Sequence, residues 1–197
     1  MHIRPFLFGW LAGLGSVALA GAAAGAFALL GGFDTSATSQ HSAPVARLLH
    51  STMRANVSVR SADVRPPAPA GPAQILAGAR LYEARCLACH GAPGVGRARW
   101  ASALVPTPPY LLDAARRWKR AELYTIVHDG VKMTAMPAWG EVHPDAEIWN
   151  LVALLEAMPK LTPDQFARLR ANAVMGAPGS AAPAAPPAAP APLPTSG

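Results

Sequence analysis

Apolar positions along this chain fall into three regimes. From Phe6 to Phe33 the residues are almost uniformly apolar, without one charged side chain, and Met1-His2-Ile3-Arg4 precedes them. The run exceeds the roughly 20 residues that a membrane-spanning helix needs. Ala18-Leu19-Ala20 followed by Gly21 also has the form of a signal-peptide cleavage site. We read residues 1–33 as an uncleaved anchor, because the apolar stretch continues through Ala26, Phe27, Leu29 and Leu30. Arg4 then stays on the cytoplasmic side and the chain beyond Asp34 lies outside.

Residues 34–72 form a linker. Val45, Leu48, Leu49, Met53 and Val57 recur at helical spacing with Arg47, Arg54 and Arg60 among them, which predicts a short amphipathic helix on a membrane surface, on a partner subunit, or serving only as a spacer. Pro66-Pro67-Ala68-Pro69 ends it. The segment 73–160 mixes apolar, charged and aromatic residues and reads as helices joined by loops. Ile75, Ala79 and Tyr82 form one stripe of a helix from Ala73 to Arg85, and Leu123, Ile126 and Val127 lie on a second from Arg120 to Asp129 that stops at Gly130. Pro144 opens a third, with Ile148, Leu151, Val152 and Leu155 at i, i+3, i+4 and i+7. Thr162-Pro163-Asp164-Gln165 has the form of a capping box, so residues 161–175 should carry a last helix to about Val174. No segment alternates as a strand. From Gly176 to Gly197 the chain is almost entirely Ala, Pro, Gly and Ser, a composition that buries no core and predicts a disordered or polyproline tail.

Composition changes this picture in two ways. The formal charge of +6 invites a nucleic-acid or acidic-surface partner, but the segment 73–160 carries only +2 of it. We therefore expect no nucleic acid. There are just two cysteines in 197 residues, both inside Cys86-Leu87-Ala88-Cys89-His90, too close together to staple a fold. They are chemical residues.

Cys-x-x-Cys-His is the attachment sequence of c-type haem. Two thiols at this spacing reach the two vinyl groups of one porphyrin, and the adjacent histidine is placed over the iron. A zinc site would want four ligands, and a redox-active Cys-x-x-Cys needs no following histidine. With His90 as one axial ligand, Met133, Met136, His128 and His143 could supply the other; Met136 fits best, since Pro137 stiffens the loop that would present it. His90 should donate its Nδ1 proton to a backbone carbonyl, with Pro93 or the Pro106 to Pro109 loop as acceptor. Arg116, Arg117, Lys119 and Arg120 make one local cationic cluster, either a docking patch for an acidic redox protein or a solvated helix start.

Cys86 to His90 with Gly91-Ala92-Pro93-Gly94-Val95, Glu122-Leu123-Tyr124, Gly130 to Gly140 around Met136-Pro137, and Glu147-Ile148-Trp149 together resemble a bacterial class I cytochrome c domain, over about Gln74 to Pro159. The resemblance implies an all-α fold of three to four core helices around one haem c, covalently held by Cys86 and Cys89 and ligated by His90 and Met136. It implies close crossing of the first and third helices, with Gly78 and Tyr82 on one and Trp149 and Leu154 on the other. The linker is similar to that of membrane-anchored monohaem members. The expected function is electron transfer, not catalysis, in a respiratory or dehydrogenase-linked chain. The haem domain would face the periplasm from the inner membrane, with a dehydrogenase, a bc-type complex or a terminal oxidase as partner. A haem catalyst or gas sensor with a displaceable sixth ligand is the rival expectation.

Overall fold

A computed structural model describes residues 3–175, with side chains from Phe8 onward. The tail expected at 176–197 lies outside the described residues. The chain divides into two compact units, residues 1–39 and 40–197. In the first, helix α1 spans Ile3–Leu29, and its stretch Phe8–Leu29 is long and apolar enough to cross a membrane. The Asp34 carboxylate then accepts the Ser36 backbone N–H and the Ser39 hydroxyl, each at 2.8 Å, and so closes a local turn.

The second unit is all-helical, and among the described residues its only β feature is a bridge between Ala92 and Val95. Helix α2 spans Ala43–Arg60, α3 Pro72–Arg85, α4 Leu87–His90, α5 Ala114–Arg117, α6 Arg120–Asp129, α7 Asp145–Ala157 and α8 Pro163–Met175. The three helices expected in segment 73–160 are present, the first two within a residue of their predicted ends. Pro144 caps the third from outside rather than opening it.

Helices α3 and α7 are the central pair. They touch where a Cβ on Gly78 would overlap the carbonyl oxygen of Asn150, so only glycine permits this approach. Around the crossing Tyr82, Ile148, Val152, Leu154, Leu155 and Met158 are almost wholly enclosed. Trp149 instead turns to α6 and stacks on Tyr124, centroids 4.4 Å apart.

Helix α8 begins in the expected capping box: the Thr162 N–H meets Gln165 Oε1 at 2.9 Å, and the Gln165 N–H meets Thr162 Oγ1 at 3.2 Å. It joins the same core. Phe166 packs edge-on against Tyr82, and the Arg170 guanidinium grips the Glu83 carboxylate through two contacts of 2.6 Å.

The amphipathic helix of the linker also rests on this domain. Val57 is buried, Arg54 lies 4.3 Å over the Trp118 ring, and Arg60 pairs with Asp129 at 2.8 Å. The apolar stripe read from the sequence is therefore divided. Val57 faces the domain, while Leu48, on the opposite side of the helical wheel, and Val45 remain exposed.

Candidate functional site

Helix α3 runs directly into the Cys-x-x-Cys-His segment. After a break at Cys86, the Cys86 carbonyl accepts the N–H groups of Cys89 at 3.1 Å and His90 at 2.9 Å, which winds α4 into one helical turn. Positions i, i+3 and i+4 of such a turn share a face. Both thiols and the imidazole thus emerge on one side of a rigid element. Cys86, Leu87 and His90 are buried, Cys89 is half-buried, and both thiols are free.

The imidazole is oriented from behind. Its Nδ1 lies 2.7 Å from the carbonyl oxygen of Pro109, one of the acceptors expected from the sequence. A carbonyl can only accept, so Nδ1 carries the proton and Nε2 keeps its lone pair. Burial lowers the His90 pKa below its usual value, against the opposing pull of the Pro109 hydrogen bond, and favours this neutral form. The Pro109 segment is itself braced: Arg97 donates to the Pro108 carbonyl while its guanidinium lies 4.0 Å over the Tyr110 ring.

Burial acts on the thiols as well. The Cys86 thiol is pushed up to about 12, chiefly by desolvation, and the same cause raises Cys89. A redox-active Cys-x-x-Cys depends on a lowered thiol pKa. Burial pushes both thiols here the other way.

The four residues that could supply a second ligand occupy different settings. Met136 packs against the buried core cluster, whereas Met133 is 74% exposed and sits at φ +61° where the loop bends outward. His128 is held by Asp129 at 2.8 Å, stacks on Tyr124, and fills the space that a side chain at Gly140 would need. His143 bonds through Nδ1 to Glu147 at 2.8 Å. Its ring lies beside Trp139, and its Nε2 is buried without a hydrogen-bond partner among the described residues. The Met136 loop is closed at its base by the Val131 N–H bonding to the Met136 carbonyl at 3.2 Å, and the Gly130 backbone presses on Pro137 and Ala138.

The donor set fits a c-type haem. Two free thiols and a neutral, pre-oriented imidazole share one face, and a thioether is available from a separate loop. Trp100, Tyr110 and Leu112 add exposed apolar surface in the segment that follows α4, the kind of surface that marks a ligand or partner. Two features escaped the sequence. The bracing of Pro109 by Arg97 acts through backbone oxygens, which leave no residue signature. The cationic cluster is also largely tied down: Arg117 pairs with Asp113 at 2.9 Å, and Arg120 pairs with Glu156 at 2.9 Å and bonds the Pro67 carbonyl at 2.7 Å.

Residues 73–155 match the family model described as cytochrome c oxidase, cbb3-type, subunit III. Comparison with curated proteins and with solved structures returns no match for the chain.

Proposed function

Since residues 73–155 are a class I cytochrome c domain, whose chemistry is haem-based electron transfer, we propose that this chain is a membrane-tethered monohaem carrier with His90 and Met136 as axial ligands. The observation that carries the reading is the single turn bearing Cys86, Cys89 and His90, with the imidazole already turned by the Pro109 carbonyl. When bound, the haem supplies an iron that alternates between ferric and ferrous forms.

The polypeptide does the rest. Cys86 and Cys89 anchor the porphyrin to the end of α3, which the core holds rigid. His90 offers Nε2 to the metal while Pro109 fixes the ring plane and raises the basicity of the ligand. Met136 offers a thioether, which favours the ferrous state and raises the potential relative to two nitrogen ligands. With His90 and Met136 both held by the chain as ligands, a bound haem would have no position left for a reactant. The buried apolar residues beside Cys86 and His90 exclude water from the site and disfavour the extra charge of the ferric form.

Helix α1 serves as the anchor, and the domain lies on the periplasmic side of the inner membrane, as the lone basic residue before the apolar run supports. The description of the matched family supports a redox partner in an oxidase complex, and a bc-type complex or dehydrogenase is the proposed source of electrons. Membrane fractionation with haem staining on a denaturing gel tests the reading. One stained band in the membrane fraction, lost in Cys86→Ala with Cys89→Ala, is expected. An unstained chain overturns the cofactor assignment, and rapid carbon monoxide binding by the reduced protein overturns the closed sixth position.

A further inference from the structure

One hydroxyl lies inside the Met136 loop and spends both of its hydrogen bonds on the loop itself. Thr134 Oγ1 donates to the Val131 carbonyl at 2.7 Å and accepts the Met136 backbone N–H at 3.1 Å. A threonine hydroxyl has one proton to give, so its donor capacity is used and its acceptor side is turned to Met136. Its neighbours offer little other restraint. Lys132, Met133 and Ala135 are exposed, and Met133 is bent into positive φ. Besides packing at Gly130 and the contact of Met136 with the core, the loop is held by the 3.2 Å bond from the Val131 N–H to the Met136 carbonyl.

We propose that Thr134 is the positioning residue for the axial sulphur: its hydroxyl fixes the Met136 backbone and keeps the thioether on the iron. The inference rests on the assignment of Met136 as ligand and deepens it. A methionine side chain has three rotatable bonds and a weakly basic sulphur, so holding it on a metal depends on where its backbone is placed. The Thr134 hydroxyl pins that backbone from the amide side, and the bond from Val131 pins it from the carbonyl side. Thr134 touches neither metal nor substrate, and acts through Met136.

The hydroxyl, not the shape, is what matters. Thr134→Val keeps the branched outline and removes both bonds, whereas Thr134→Ser keeps both. The test uses the full-length haem-loaded protein with Thr134→Val, Thr134→Ser, Thr134→Ala and Met136→Ala. It reads the far-red sulphur-to-iron absorption of the oxidised form and its titration with imidazole, which competes with the thioether. Loss of two neutral hydrogen bonds should raise apparent imidazole affinity about tenfold in Thr134→Val and Thr134→Ala and weaken the far-red band, with Thr134→Ser close to the parent. Two independent removals keep the test usable if one variant folds poorly. A Thr134→Val or Thr134→Ala protein that titrates like the parent overturns the inference, as does a serine variant impaired as much as the valine one. If the parent itself lacks the far-red band, or Met136→Ala retains it, the ligand assignment fails instead, and the two failures are distinguishable.

Discussion

The Nδ1 atom of His90 lies 2.7 Å from the carbonyl oxygen of Pro109, a residue 19 positions further along the chain. This bond ties the helical turn that ends α3 to an irregular segment with no helix of its own. It sets which imidazole nitrogen is free, and so decides what the turn can ligate. Its strength depends on the segment staying in place, and Arg97 is the side chain that holds it there through the Pro108 carbonyl and the Tyr110 ring.

Arg97→Ala should therefore lower stability by about 1–3 kcal/mol, the range for losing a charged hydrogen-bond donor. Denaturant unfolding followed at the haem absorption measures it. A shift in reduction potential should accompany the loss, because the His90 ring is less firmly oriented.

At the crossing of α3 and α7, Gly78→Ala would drive a methyl into the Asn150 carbonyl. Separating the central helix pair should cost about 1–3 kcal/mol, as overpacking does elsewhere. The unfolding midpoint should fall while the far-red absorption of the surviving folded protein stays in place, since neither ligand loop is touched.

Gly130→Ala has the opposite signature. The glycine has φ +67°, and a Cβ there would lie 2.5 Å from the Pro137 carbonyl carbon. Backbone at φ +67° and ψ −170° is essentially reserved for glycine and costs another residue about 1–3 kcal/mol, and relief comes by moving the loop that carries Met136. Spectra should report a displaced thioether before unfolding experiments report a large loss.

Helix α2 makes a prediction about the linker. Val57 is 7% exposed where α2 meets the domain, so Val57→Ala should destabilise the unit by about 1–2 kcal/mol. Leu48→Ala, on the exposed opposite side, should leave the unfolding midpoint nearly unchanged. Equal effects from the two substitutions would contradict the docking of α2.

These contrasts show what the sequence could and could not reveal. Helices α3, α6, α7 and α8 were legible because each buries one apolar stripe and has a capping or stop signal at an end, with the Thr162 and Gln165 box realised atom by atom. Cys86, Cys89 and His90 stood out by their spacing alone, and the structure sets them on one helical turn. The segment 91–118 was legible only in the Pro106 to Pro109 loop as one possible acceptor for His90, since it has no periodicity and is held by carbonyl oxygens of Pro108, Pro109 and Tyr110, groups that every residue possesses. The docking of α2 was hidden for another reason. Arg54 and Arg60 carry no sign in the sequence of their partners Trp118 and Asp129, which lie far along the chain. Arg120 likewise looks like part of a free cationic patch and is instead committed to Glu156 and the backbone at Pro67.

The most direct measurement is the far-red absorption and reduction potential of the oxidised, haem-loaded protein compared across Met136→Ala and Met133→Ala. The account predicts that the parent and Met133→Ala share the sulphur-to-iron band and the same potential, and that Met136→Ala loses the band and falls in potential. A Met136→Ala protein indistinguishable from the parent would contradict it.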